Sequence, residues 1–219
     1  VDDVATWKRS VRRDLLAVRA AMADDEVRQA AQALAARALE LPELAALMGE
    51  GEGGGAGEGV GERGGTVAAY VSVGSEPGTL ALLNVLRERG VRVLLPVLLA
   101  DDDLDWAEYE GAGRLVEAEH AGRIRLLQPS GRRLGPGAVT GAAVVLLPGL
   151  AVDRRGVRMG RGGGSYDRAL ARLADADARP ALVAVVYGHE VVDELPHEPH
   201  DRPVHAALTP EGVHRFAPG

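Results

Sequence analysis

The chain has 219 residues, enough for one substantial α/β domain and too few for two large ones. Its formal charge of −7 disfavours a general nucleic-acid or acidic-membrane binder, and an aromatic content of 3% leaves little with which to stack single-stranded bases. There is no cysteine, so neither a disulfide framework nor a thiolate metal site can form. No stretch reads as a leader or a membrane span, and the expected location is the cytoplasm.

From about Asp3 to Met22, Val4, Trp7, Val11, Leu15 and Val18 recur at steps of three and four, which predicts an amphipathic helix. Lys8 and Arg12 lie one turn apart and project together as a two-point clamp for phosphate. The plainer alternative for them, with Arg9 and Arg13, is a solvated basic face. A second helix is expected after Asp24, taken as its N-cap, through Val27, Ala31, Leu34 and Ala38 towards Pro42, with a short turn at Leu44 to Met48. Residues 49–65, mostly Gly and Glu, bury too little apolar surface to offset their ordering entropy. They read as a flexible insertion within a single domain spanning 1–219.

Val67 to Val73 has the content of a central strand, broken by Gly74 to Gly78 before a helix from Thr79 to Arg89 that Gly90 closes. Ligands of an open parallel sheet sit beyond its carboxyl ends, which is where Glu76 falls; otherwise Glu76 is a carboxylate facing a helix dipole. Val91 to Leu98 reads as a second parallel strand. Asp101 to Asp103 reads as a solvated loop, and Leu104, Trp106 and Tyr109 as a short edge strand whose aromatics pack in the core or cover a ligand. Arg114 to Leu134 is expected to be an irregular connection across the ligand side of the sheet.

Ala142 to Leu147 is an apolar run typical of a buried parallel strand. It breaks at Pro148-Gly149 and meets a glycine loop that opens a helix at Ser165. Gly162, Gly163 and Gly164 let backbone N–H groups approach an anion, and the helix adds unpaired N–H groups and a positive dipole end. Arg158 and Arg161 bring side-chain charge to the same place. Tyr166 and Asp167 fall in the first helical turn, where a ring can cover a ligand and a carboxylate can hold the magnesium that accompanies a nucleotide. Residues 49–65 are richer still in glycine, yet they carry glutamates in place of arginines and lack the strand before and the helix after. Context, not composition, is therefore the signal. The loop is neither a Walker A sequence nor a dinucleotide fingerprint opening a first βαβ unit.

Ala181 to Tyr187 is the next expected strand. Leu195 to Pro203 contains His197 and His200, but its prolines prevent a regular helix and no HxxxH pair is displayed, which argues against zinc. Val204 to Leu208 is the last expected strand. The alternation predicts a three-layer α/β/α sandwich with a mostly parallel sheet, and nucleotide-dependent chemistry on a small molecule.

Four segments in order carry a resemblance: Lys8-Arg-Ser-Val-Arg12; Ser72-Val-Gly-Ser-Glu76 with Thr79; Pro148 to Asp153, Gly156 and Arg158 to Arg168; and His200-Asp201 followed by Ala207-Leu-Thr209. Together they resemble the 5-formyltetrahydrofolate cyclo-ligases, also called methenyltetrahydrofolate synthetases. The resemblance implies a sheet of the NagB/RpiA/CoA-transferase kind and ATP-dependent conversion of 5-formyltetrahydrofolate to 5,10-methenyltetrahydrofolate. It implies nucleotide contacts from Lys8, Arg9, Arg12, Arg158, Gly160, Arg161, Gly162, Gly163, Gly164, Ser165 and Tyr166, with Lys8 and Arg161 catalytic. Val71, Glu76, Arg161 and Ser165 are implied in folate binding, and Asp167 and Asp201 in holding Mg²⁺. The implied partners are folate and ATP alone, with a monomer expected.

Two positions depart from the pattern. Gly163 stands where part of the family has Lys. Ser165 replaces the first Tyr of the common Gly-Tyr-Tyr-Asp sequence, removing an aromatic wall for which Trp106 or Tyr109 are candidate replacements. Arg123, Arg125, Arg132 and Arg133 are either ordinary surface charge or contacts for a polyglutamate tail. The alternatives are a sugar-phosphate or acyl-CoA enzyme of similar fold, and a non-catalytic nucleotide- or folate-binding protein.

Overall fold

The computed structural model describes residues 2–49, 65–120, 124–197 and 202–216. The expected insertion therefore lies almost wholly outside the described residues, as do Arg123, His200 and Asp201.

Helix α1 (Asp2–Ala21) forms as its periodicity predicts. Only Val11 and Leu15 of the expected apolar stripe pack inward, against Ala151, Val157, Met159 and Leu195, whereas Trp7 and Val18 are exposed. Helix α2 (Asp24–Arg37) starts one residue earlier than a cap at Asp24 would allow. Ala23 is the N-cap residue, and its N–H donates to the Glu26 carboxylate at 2.8 Å. Asp24, Asp25 and Glu26 then fill the first turn, where negative charge favours the helix dipole. The expected turn at Leu44 is a helix, α3 (Pro42–Gly49), opened by a proline whose missing N–H costs nothing at that position.

The main sheet has seven strands, in the spatial order β12-β11-β9-β6-β1-β2-β3. These are β1 (Thr66–Ala68), β2 (Arg92–Leu98), β3 (Leu104–Glu108), β6 (Val144–Pro148), β9 (Ala181–Val185), β11 (Ala206–Thr209) and β12 (Gly212–Arg215). The five inner strands are parallel, and β3 and β12 are antiparallel edges. Strand β12 was not anticipated from the sequence. The central β1 is shorter than the run to Val73 suggested. The Thr79 hydroxyl donates to the Tyr70 carbonyl at 2.7 Å and accepts the Ser72 N–H at 3.0 Å, taking backbone groups that a strand ladder would have used.

The period of two divides the core into two layers. Val67, Val93, Leu146, Val183 and Leu208 pack with Leu34, Leu41, Leu44 and α4 (Leu80–Glu88) on one face. Ala68, Leu94, Val145, Leu147, Ala184 and Ala207 pack with α5 (Ser165–Asp175) on the other. This is the expected three-layer α/β arrangement about a mostly parallel sheet. The loop at Asp101 to Asp103 is not simply solvated: Arg172 of α5 binds both oxygens of Asp103, at 2.8 and 3.3 Å, and holds its carboxyl below the usual range.

The segment expected to be irregular is a β-hairpin, β4 (Leu115–His120) and β5 (Ile124–Pro129), in register from Leu115–Pro129 to His120–Ile124. A second small sheet pairs β7 (Ala151–Asp153) with β8 (Arg158–Met159) and β10 (Val191–Val192). It turns the chain from the end of β6 into the glycine loop.

Candidate active site

The carboxyl ends of β1, β2 and β6 open into a cavity of about 630 Å³. Lys8, Arg9 and Arg12 reach it from α1, Tyr70, Val71 and Glu76 from the segment after β1, and Arg158 to Asp167 from the loop after β8. Every site residue expected from the sequence within the described residues lines this one space.

Arg12 fixes how the first helix meets the loop. Its Nε donates to the Gly160 carbonyl at 2.9 Å, across 148 positions of sequence. Gly162 and Gly164 have φ of +96° and +73°, the left-handed region where a side chain is strained, and Gly164 is the N-cap of α5. Gly163 has no positive φ and no heavy atom within 4 Å of a would-be Cβ, so a larger side chain fits there.

Arg158 braces the loop from below. Its guanidinium donates to the Pro148 carbonyl at 3.0 Å and to Asp167 Oδ1 at 3.1 Å, tying the end of β6 to the start of α5. The Asp167 carboxylate is 66% exposed even so. Arg161 is the more accessible cation; its Nε lies 3.4 Å from Glu76 Oε1. Glu76 is 8% exposed and accepts the Val73 N–H at 2.8 Å. Burial pushes its carboxyl above the usual range, opposed by the Val73 N–H and by Arg161. Burial, and next the Glu76 charge, push the Tyr166 phenol up, so its ring stays neutral.

Neither aromatic proposed to replace the missing tyrosine wall at Ser165 does so. Trp106 is 1% exposed in the core on the α5 side, and the Tyr109 hydroxyl donates to Asn84 Oδ1 at 2.7 Å. The hairpin contributes instead an apolar part of the cavity lining, with Leu126, Leu127 and Gln128 beside Leu98 and Leu104. Arg125 of the same hairpin faces Glu117 at 3.8 Å. Among the described residues no three His, Cys, Asp or Glu side chains cluster as a metal site.

Two supports escaped the sequence reading. Arg19 and Glu190 form a wholly buried pair at 2.6 and 2.8 Å, and Arg19 also donates to the Gly149 carbonyl at 2.6 Å. Arg19 thus pins the end of α1 both to the segment after β9 and to the turn leaving β6, but it looked like one more basic residue of a surface helix. Asp153 is fully buried and accepts the N–H groups of Arg155, Val157 and Leu195 as well as the Arg155 guanidinium. Burial alone would raise its carboxyl; Arg155 and the backbone donors bring it below the usual range. The Asp153-Arg-Arg-Gly156 spacing, with Gly156 at φ +79° against the Val204 carbonyl, was the available signal of a tight turn.

The model of the 5-formyltetrahydrofolate cyclo-ligase family matches residues 60–210. Over 151 residues the chain is 46% identical to the 5-formyltetrahydrofolate cyclo-ligase of Mycolicibacterium smegmatis, covering 67% of this chain and 74% of that one. The Escherichia coli protein of the same name is 32% identical over 152 residues, 68% of this chain and 79% of its own. The solved structure of Aquifex aeolicus 5,10-methenyltetrahydrofolate synthetase superposes with a TM-score of 0.72 at 23% identity, covering 97% of this chain and 94% of the other. That of Mycoplasma pneumoniae gives 0.64 at 17% identity, covering 93% and 99%. These two structures share the fold over nearly the whole chain. By the match of its sequence over residues 60–210, the chain belongs to the 5-formyltetrahydrofolate cyclo-ligase family.

Proposed function

We propose that the protein converts 5-formyltetrahydrofolate and ATP to 5,10-methenyltetrahydrofolate, ADP and phosphate. The observation that carries the reading, beside family membership, is the Arg12–Gly160 bond, which joins a cationic helix to the glycine loop at the cavity shared with Glu76. A formamide is a poor electrophile. Its formyl oxygen attacks the γ-phosphorus in line, the ADP oxygen leaves, and the formyl carbon now carries a phosphate leaving group. N10 of the same folate adds to that carbon, its proton is lost, and phosphate departs as the ring closes.

Such chemistry asks for position and charge neutralisation and needs no protein nucleophile. Lys8 and Arg161 act on the transferring phosphoryl group. Arg9, Arg12, Arg158, the backbone of Gly160 to Gly164, Ser165 and Tyr166 hold the nucleotide, while Val71, Glu76, Arg161 and Ser165 hold the folate. Asp167 presents an exposed carboxylate to the same cavity, which suits a cation that takes one or two carboxylates and completes its shell with phosphate oxygens and water. Asp201 is the second carboxylate in this reading. Bound Mg²⁺ would supply charge neutralisation on the phosphates. The reading includes a monomer in the cytoplasm; no helix among the described residues is long and apolar enough to cross a membrane.

The test is the absorbance of the methenyl product, followed with and without ATP. ATP-dependent formation is expected. Folate binding without turnover would favour a non-catalytic role, and neither binding nor turnover would favour a sugar-phosphate or acyl-CoA substrate.

A further inference from the structure

Tyr70 stands where the chain leaves the central strand. The Ala69 N–H still bonds to Leu94 of β2, and the Tyr70 carbonyl is held by Thr79, so the backbone fixes where the ring goes. Tyr70 is 3% exposed, packed in the core beneath the cavity and bordering it. Its hydroxyl is buried without a hydrogen-bond partner among the described residues.

An unpartnered buried hydroxyl is unfavourable, and phenylalanine would fill the same space without it. A group of this kind is explained when its partner arrives with a ligand. Burial keeps the phenol far above its ordinary value, so it is protonated and has a proton to donate. The chemistry of the walls says which part of a ligand it meets. Cations come from α1 and the glycine loop, whereas the segment after β1 offers a hydroxyl, the Val71 side chain and the Glu76 carboxylate. A buried carboxylate, an apolar side chain and a phenol suit an uncharged polar heterocycle better than a phosphate.

We propose that the Tyr70 hydroxyl donates a hydrogen bond to a carbonyl oxygen or ring nitrogen of the reduced pterin of 5-formyltetrahydrofolate, making Tyr70 a specificity-determining residue for the folate half of the substrate pair. This deepens the reaction proposed above and rests on it. The donor is already stripped of water, so forming the bond gives up no earlier one. The heterocycle meets it as the ring turns slightly towards the cavity it borders.

Tyr70→Phe removes one oxygen and separates this role from a structural one. Thermal unfolding of the free full chain should be unchanged or shifted upward, because an unsatisfied group is gone. The KM for 5-formyltetrahydrofolate should rise about tenfold, as loss of one desolvated hydrogen bond gives, with the KM for ATP within about twofold of wild type. The thermal upshift produced by 5-formyltetrahydrofolate alone should shrink in parallel. A lower melting temperature with unchanged folate parameters would show an internal partner and overturn the assignment, as would an equal rise in both KM values or a rise for ATP alone. Wild-type turnover is the control. Its absence would overturn both the reaction and this role, whereas normal turnover by wild type and an indistinguishable Tyr70→Phe variant would overturn the role of Tyr70 only.

Discussion

Arg161 Nε lies 3.4 Å from Glu76 Oε1, so the exposed cation of the glycine loop rests against the buried carboxylate that follows β1. The pair is half solvated on the arginine side, and such a contact is weak. It does not compensate the burial of Glu76, whose carboxyl stays above its usual range. In the free protein burial thus disfavours the ionised form of Glu76, and a ligand that donates to it offsets that burial.

The pH dependence follows from the sign of that shift. The folded pKa lies above the unfolded one, so the ionised form destabilises the fold at pH above both values, and the penalty is relieved as pH falls through the folded pKa. Glu76→Gln should therefore raise the melting temperature of the ligand-free protein by about 2–4 °C at pH 8. The gain should fade as the pH is lowered into the range where Glu76 takes up its proton. Folate affinity should fall in the same variant. A melting curve unchanged at pH 8 would show that Arg161 and the Val73 N–H already offset the burial.

Lys8 lies one helical turn before Arg12, whose bond to Gly160 sets the helix against the loop. Lys8→Ala should leave that bond and the fold in place. Initial-rate measurements should show the ATP requirement rising at least tenfold while the folate KM changes less than threefold, in line with a charge-assisted phosphate contact. Equal changes in both, or none, would return Lys8 to the solvated face of the helix.

Asp153 carries the opposite linkage. Its folded pKa is depressed, so its stabilisation is present above the unfolded value and is lost as pH falls through the folded one, below about pH 4. Asp153→Ala leaves the N–H groups of Val157 and Leu195 without their acceptor and should cost about 3–5 kcal/mol in denaturant unfolding at pH 7. A loss under 1 kcal/mol would mean that the turn between β7 and β8 is held by other contacts.

Asp167 and Asp201 are tested by titrating Mg²⁺. Asn at either position keeps size and removes charge, so each single variant should need several-fold more Mg²⁺ for half-maximal rate, with metal-free folate binding retained. An unaltered magnesium dependence in both would leave Asp167 only as the partner of Arg158.

What the sequence determined by itself was local. Short continuous apolar runs placed β6 and β9 in the interior of the sheet, and a glycine run between a strand and a helix marked the anion loop, because apolar content and backbone freedom are properties of neighbouring residues. The hairpin β4–β5 escaped because arginines and a Pro-Ser-Gly run dilute its pattern. Its apolar side chains are divided between the core (Leu115), the cavity lining (Leu126 and Leu127) and solvent, to which Val116 and Leu127 remain exposed. Strand β1 stopped early because Thr79, nine positions on, takes the Tyr70 carbonyl. Only the tertiary structure decided that Arg12 meets Gly160, and that Arg19 meets Glu190 across 171 positions. Such pairs depend on how α1 packs over the ends of β6 and β9, and nothing in the spacing of a basic helix distinguishes an arginine that is buried against a carboxylate from one that stays in water.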